Sequence, residues 1–337
     1  MKIRSTIAGL AAIAAALPAF AQVKINDALT VTGWATGSYQ YTSPSPGTSF
    51  DSFNLDAGYL DAIITPTKNT TANISLYYRP SGEGGVSPSG AELTVLDANV
   101  AYTNTAGVTI TAGKFLSYLG YESFYFDADN MITLANQQFL APIPGYHEGV
   151  KVDYSPTKTD TLGFAIVDSL QSKPGYAATE GDGEFKHNAG GEAYFTDTSI
   201  NNLTLWFGAG YDTKGNFETH ADTVLDVWAS YTVDKTSSFA VEEIYKDGGD
   251  FSEPGGTGKG SNWLLYYDFT ANSAWNAWFC VSGEDVHQGP SYVKYSISPT
   301  YTVNANLSLR AQYSYTSYSK YGWNSANFLG AEAIFKF

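Results

Sequence analysis

The chain has a single cysteine, Cys280, among its 337 residues, so no disulfide can form within it. An exported protein built this way must be held by something else, and a closed hydrogen-bonded sheet is one such structure. Charge is also scarce. Only 15% of residues are charged, against about 25% in ordinary soluble domains. Lys and Arg number 18 against 33 Asp and Glu; without the clustered cations that phosphate contacts need, a nucleic-acid partner is excluded. Mean hydropathy is −0.18, which argues against a bundle of membrane helices, each needing about 20 apolar residues. The four histidines, His147, His187, His220 and His287, lie far apart without metal-ligand spacing, and each is expected as a solvated rim residue on a loop or strand end. No metal, cofactor or catalytic activity is expected.

What the chain does have is aromatics and glycine: 25 Tyr, 19 Phe, 7 Trp and 33 Gly. Low charge, many tyrosines and middling hydropathy suit a transmembrane β-barrel, in which only alternate side chains of each strand meet lipid. Residues 1–21 read as a cleaved signal peptide: Lys2 and Arg4, an apolar core from Ile7 to Leu17, then Ala19-Phe20-Ala21. Residues 22–337 then form one outer-membrane barrel domain. Taking Lys2 and Arg4 from the basic count leaves 16 against 33 acidic residues, a formal charge of −17.

From Leu29 onward, segments of about ten residues alternate apolar and polar side chains. Leu203, Leu205, Phe207, Ala209 and Tyr211 share one face while Thr204, Trp206, Gly208, Gly210 and Asp212 share the other. Leu307, Leu309, Ala311, Tyr313 and Tyr315 likewise oppose Ser308, Arg310, Gln312 and Ser314. Ten residues tilted by about 40° cross about 25 Å, the height of an outer-membrane apolar band. Short turns such as Pro66–Asn69, Asn104–Gly107 and Val303–Asn306 alternate with longer Gly/Pro/Ser-rich stretches such as Thr42–Ser52, Pro80–Gly90 and Lys320–Asn324. Seven short turns and eight long loops imply an all-β, up-and-down antiparallel barrel of about sixteen strands, with both termini on the periplasmic side. A soluble sandwich would also show short alternating strands, but would not need outer faces so apolar or so free of Lys and Arg.

A barrel of that width cannot be filled by its own side chains and leaves a channel. The inward parity carries Arg79, Asp97, Lys151, Asp153, Asp226, Lys294, Arg310 and Glu332, a polar wall of both signs fit for hydrated solutes. Cys280 shares that parity and reads as packing. Segment 117–146 is too long to be a simple connection. As the third long outer loop it is expected to fold into the lumen and present Glu122, Asp127 and Asp129 at a constriction, opposite Arg79 and Arg310. The competing arrangement is a loop that caps the mouth from outside. The acidic loop groups Glu180/Asp182/Glu184 and Asp247/Asp250/Glu253 read as solvated charge, since neither has an EF-hand register. Gly255–Ser261 fails the spacing of a phosphate loop.

Leu329, Ala331, Ala333, Phe335 and Phe337 end the chain on the lipid-facing parity. This ending resembles the signal that outer-membrane proteins present to the barrel-assembly machinery. Gly113-Lys-Phe, Gly120-x-Glu122 and Pro144-x-x-His147-x-Gly149-Val150 together resemble the OmpL-like family of putative β-barrel porins. The resemblance implies a porin of the outer membrane of a Gram-negative-type bacterium, in contact with lipid and lipopolysaccharide, and a homotrimer by analogy with general porins. The expected function is passive diffusion of small hydrophilic solutes, with the acidic excess pointing to cation preference. The alternatives are a structural or adhesive barrel acting through its surface loops and, with less support, a barrel enzyme needing a Ser/His pair at the lipid edge.

Overall fold

The computed structural model describes residues 23–79, 92–122, 129–135, 139–140, 143–168, 170, 189–213, 221–248 and 258–337. The signal-peptide segment, His187, His220, Asp127 and the Glu180/Asp182/Glu184 group lie outside these residues. So do Asp250 and Glu253.

Among the described residues there are seventeen strands: β1 Val23–Lys24, β2 Leu29–Ser45, β3 Phe50–Thr67, β4 Thr70–Arg79, β5 Glu92–Thr103, β6 Val108–Leu116, β7 Tyr146–Tyr154, β8 Asp160–Val167, β9 Gly190–Asp197, β10 Leu203–Asp212, β11 Asp222–Thr232, β12 Ser237–Asp247, β13 Gly260–Thr270, β14 Trp275–Val286, β15 Ser291–Asn304, β16 Leu307–Ser319 and β17 Ser325–Lys336. β1 is a two-residue stub paired with β2. The other sixteen form a closed ring of antiparallel neighbours, sealed where β17 pairs β2 from Ser325↔Ser45 to Lys336↔Trp34. Closure leaves no unpaired edge, which is the condition for a sheet to lie in lipid.

The sixteen strands and the turn order agree with the sequence pattern, while some boundaries shift. β2 and β3 reach further than their side-chain pattern suggests, so the first long connection shrinks to residues 46–49. Pro66 and Val303 are in strands, leaving two-residue turns at 68–69 and 305–306.

Large apolar side chains cover the outer face. Phe207, Leu225, Val227, Val241, Leu265, Phe279, Leu309 and Leu329 are all exposed. Aromatics gather toward the short-turn end, where Phe239, Tyr267 and Phe279 stack in turn at 4.8 and 5.9 Å and Trp275 meets Tyr301 at 4.7 Å. Amphipathic rings favour this depth because they bridge hydrocarbon and headgroups.

The opposite parity is buried and polar, with Ser75, Glu192, Asp226, Glu242, Gln312 and Glu332 among it. In β3 the pairing with β2 slips between Thr36 and Gly37, so Asp56 and Ala57 are consecutive and both buried. In β5 the pairing with β4 slips in the same way opposite Ser75, burying both Leu96 and Asp97. Each bulge inverts the side-chain alternation along its strand.

Candidate channel lining

β6 and β7 are held together at the base of segment 117–145 by Ser117 N–H donating to the Gly145 carbonyl at 2.9 Å. Three residues on, Gly120 has φ +102°, and a Cβ there would sit 2.6 Å from Ile143. Only glycine turns the chain at this point without displacing the returning limb.

An irregular segment carries backbone N–H groups with no ladder to satisfy them. Among the described residues, several of these groups are met by the inner wall. Glu192 on β9 accepts from Tyr118 N–H at 2.9 Å, Asp226 on β11 from Gly120 N–H at 2.7 Å, and Glu242 on β12 from Tyr121 N–H. Gln312 on β16 accepts from both Ile132 and Thr133, at 2.6 and 3.0 Å, and Glu284 on β14 accepts from Phe139 at 2.6 Å. Asp212 on β10 serves the next loop similarly, taking Leu170 N–H at 2.8 Å. Hydrogen bonds to an ionised acceptor are about twice as strong as neutral ones.

The loop carbonyls are met by donors from the same wall. Arg310 donates to the carbonyls of Asp129 and Met131, the latter at 3.1 Å, and Lys294 donates to Leu134 O at 2.8 Å and Thr133 Oγ1 at 2.7 Å. Ser282 and Tyr292 hydroxyls both donate to Ala135 O, at 2.7 and 3.0 Å.

Apolar contacts follow the same track. Leu119 and Ile143 pack with Tyr194, Trp206, Trp228 and Ile244. The Trp206 and Trp228 rings stack at 5.8 Å, and Tyr121 meets Trp228 edge-on at 5.4 Å. Met131 and Ala135 pack with Leu264, Tyr266, Trp278 and Cys280. Burying a large apolar side chain contributes about 1.5–3 kcal/mol, so these clusters add substantially to the polar anchors. Burial, with the Asp153 carboxylate next in effect, pushes the Tyr118 hydroxyl well above its ordinary pKa and keeps it neutral.

The expected site residues divide. Glu122 is half-buried and accepts from Ala135 N–H through both oxygens, at 2.8 and 3.0 Å, and from the Tyr266 hydroxyl, tying the outgoing limb to the returning one. Arg310 is bonded to the loop rather than facing it across a gap, and its other contact is Glu332 at 3.3 Å. Asp129 is half-buried beside it. Lys151 lies 4.9 Å over both the Phe115 and Tyr118 rings, and Asp153 accepts from the Tyr194 hydroxyl at 3.0 Å. Arg79 ends β4, and its side chain lies outside the described residues. His147 is no rim residue: it is buried, with Nε2 2.9 Å from a buried Glu192 oxygen. His287 is exposed in the turn after β14. Among the described residues no group of three His, Cys, Asp or Glu side chains is placed to hold a metal ion. Asp247 pairs with Lys259 at 2.7 Å.

The wall from β2 to β5 carries a different set. Asp56 accepts from Ser38 at 2.8 Å and from Gln40 at 3.1 Å, Ser75 donates to Asp97 at 3.2 Å, and Asp61 is buried near them on β3. Asp56 and Asp61 escape a parity reading because of the bulge between β2 and β3. Glu242, Glu284 and the two stacked tryptophans were readable as inward-facing, but nothing in their spacing marks them as loop anchors.

This architecture has known counterparts. The sequence model of the putative beta-barrel porin-2, OmpL-like family matches residues 28–337. The chain belongs to that family. Its place is the outer membrane. No curated protein sequence matches it. Among solved structures, Pseudomonas putida OprB is similar with a TM-score of 0.68 at 11% identity, covering 92% of this chain and 94% of that one. The outer membrane channel DcaP of Acinetobacter baumannii gives 0.66 at 12% identity, covering 92% and 97%. OmpT of Vibrio cholerae in its trimer form gives 0.60 at 12% identity, covering 92% and 100%. At such identities the likeness is one of fold. The OmpL-like chain thus shares the closed porin barrel with these proteins.

Proposed function

We propose that this OmpL-like chain is a passive, water-filled diffusion channel for small hydrophilic solutes, non-enzymatic and cation-preferring. The observation that carries the reading is the set of anchors from β9, β11, β12, β14, β15 and β16 to segment 117–145, which hold that loop against one side of the inner wall. Solutes then pass along the wall from β2 to β5, where Asp56, Asp61 and Asp97 favour cations. The loop narrows the lumen mainly by its volume, with Asp129 held beside Arg310, while Glu122 serves as an internal staple.

The reading includes a cleaved signal peptide at residues 1–21, insertion guided by Phe335 and Phe337 through the barrel-assembly machinery, an outer surface facing lipid and lipopolysaccharide, and assembly as a homotrimer, the form in which the similar OmpT of Vibrio cholerae has been solved. The purified full chain in planar bilayers should give discrete conductance steps, with a reversal potential in a KCl gradient of the sign set by potassium. Absence of steps would overturn the channel reading; a chloride-signed potential would overturn the cation preference alone.

A further inference from the structure

A cavity of about 240 Å³ opens between the loop and the wall at the long-loop end of the barrel, where β2, β15, β16 and β17 meet the last connection. Its lining has a distinct chemistry. Tyr318, Trp323 and Phe328 supply ring surface, and Thr42 and Thr316 supply hydroxyls. Tyr318 and Trp323 meet edge-on with centroids 6.0 Å apart and an interplanar angle of 72°, so the cavity is bounded by rings at differing angles. Tyr321 lies 5.2 Å from Tyr318 and 5.0 Å from Phe139, which continues the aromatic surface from the last connection to the loop.

Among the described residues of the lining the one cation, Lys294, is already engaged. Two of the three N–H donors of Lys294 go to Thr133 Oγ1 and Leu134 O, at 2.7 and 2.8 Å. One donor remains for a ligand, and with no second cation among the described residues of the lining the cavity is poorly suited to a carboxylate or phosphate. Ring surface with a few dispersed polar groups orients a ligand that has an apolar face and a polar perimeter. A pyranose has that form: C–H groups on its faces and hydroxyls at its edge. The volume falls below the 300–1,000 Å³ typical of drug-sized pockets, which suits one ring of a saccharide rather than a whole chain.

We propose that this cavity is a saccharide subsite that binds a neutral pyranose ring at the outer mouth, stacked on Trp323 and Tyr318 and hydrogen-bonded by Thr42, Thr316 and the remaining Lys294 donor. The proposal rests on reading the lumen as an open passage, and names the class of solute that the passage takes.

Calorimetric titration of the detergent-solubilised full chain with maltotriose tests it, and lipopolysaccharide core oligosaccharide as a second probe separates a diffusing solute from a surface glycan. Saturable binding of either supports the subsite. Trp323→Ala should weaken it at least about tenfold, the equivalent of ~1.4 kcal/mol. Tyr318→Phe, which keeps the ring, should retain it, and Thr316→Val, which keeps the shape, should weaken it. Folding of each variant is checked by heat-modifiable migration. No saturable binding of either saccharide, or binding by Trp323→Ala and Thr316→Val as tight as that of the unaltered chain, would overturn the subsite. Conductance without saccharide binding would leave the channel reading intact; binding without conductance would remove that reading and leave the subsite.

Discussion

Glu192 and His147 meet at 2.9 Å across an intervening strand, one on β9 and the other on β7, with both side chains buried. The same carboxylate takes the Ser117 hydroxyl and Tyr118 N–H at the start of the long loop. Removing the imidazole strands a buried anion that keeps only its loop partners. His147→Ala should therefore cost about 3 kcal/mol, the scale for breaking a buried pair. In urea unfolding from micelles, His147→Ala and Glu192→Gln together should cost clearly less than the sum of the singles. Additive costs would mean that the two side chains do not act as a pair.

The far end of the loop depends on Gln312, which takes two successive N–H groups 180 and 179 residues away in sequence. Gln312→Ala leaves both without that acceptor, a cost of about 1–3 kcal/mol. Combined with Glu284→Ala, which frees Phe139 N–H, it should loosen the segment from the wall. Single-channel recordings should show larger and noisier steps than the unaltered chain. Unchanged steps would mean that the loop does not limit the passage.

Selectivity should depend on the wall that carries Asp56, Asp61 and Asp97. At 4 Å in water a unit charge contributes about 1 kcal/mol, and at 0.1 M salt it is screened over about 10 Å. Replacing all three with Asn should move the reversal potential toward zero in 0.1 M KCl and change it little in 1 M. Glu122→Gln should have a smaller effect, because that carboxylate is engaged by Ala135 and Tyr266. A larger shift from Glu122→Gln would reverse the assignment.

The barrel itself was legible because lipid imposes alternation on every strand: Leu203 to Tyr211 and Leu307 to Tyr315 point outward as their spacing requires. Alternation loses its phase at a bulge, however, and Asp56 and Asp61 lie to either side of one. The loop was legible as a long interval without a strand pattern, but not in its attachments. Arg310 was readable as inward-facing; that it would bond the carbonyls of Asp129 and Met131 depends on a fold of the loop that no periodicity encodes. His147 was misplaced for a related reason. Its position at a strand start suggests a solvated rim, and only the loop packed over β7 and β9 buries it.

The two faces of one strand offer a direct contrast. Val227 is exposed at the middle of β11, and Asp226 beside it is buried on the other face. Val227→Lys places a charge where hydrocarbon is expected and should cost about 2–4 kcal/mol in a bilayer. The same substitution should cost much less in unfolding from a micelle, where headgroups and water adapt. Equal costs in both media would mean that this face does not meet the hydrocarbon core.

At the seal of the ring, Gly33 and Phe337 exchange both backbone hydrogen bonds at 2.9 Å, and Thr32 adds a hydroxyl donor to the Phe337 carbonyl at 3.1 Å. The Phe337 ring occupies the space above Gly33, since a Cβ there would lie 2.7 Å from the ring and 2.6 Å from the Tyr59 carbonyl. Phe335 lies 6.3 Å from Phe337, so the two rings form one aromatic end to β17. Gly33→Val should expel the Phe337 ring without removing it, whereas Phe337→Ala removes the ring and keeps the glycine. If the ring acts chiefly through its seat in the closed barrel, both variants should lower unfolding stability by similar amounts. If it acts chiefly as an insertion signal read before closure, only Phe337→Ala should slow assembly into vesicles that carry the assembly machinery. Slow assembly of Phe337→Ala with normal assembly of Gly33→Val is the expected result, because a signal must be read while the strand is still unpaired. Equal slowing of both would place the role of Phe337 in closure instead.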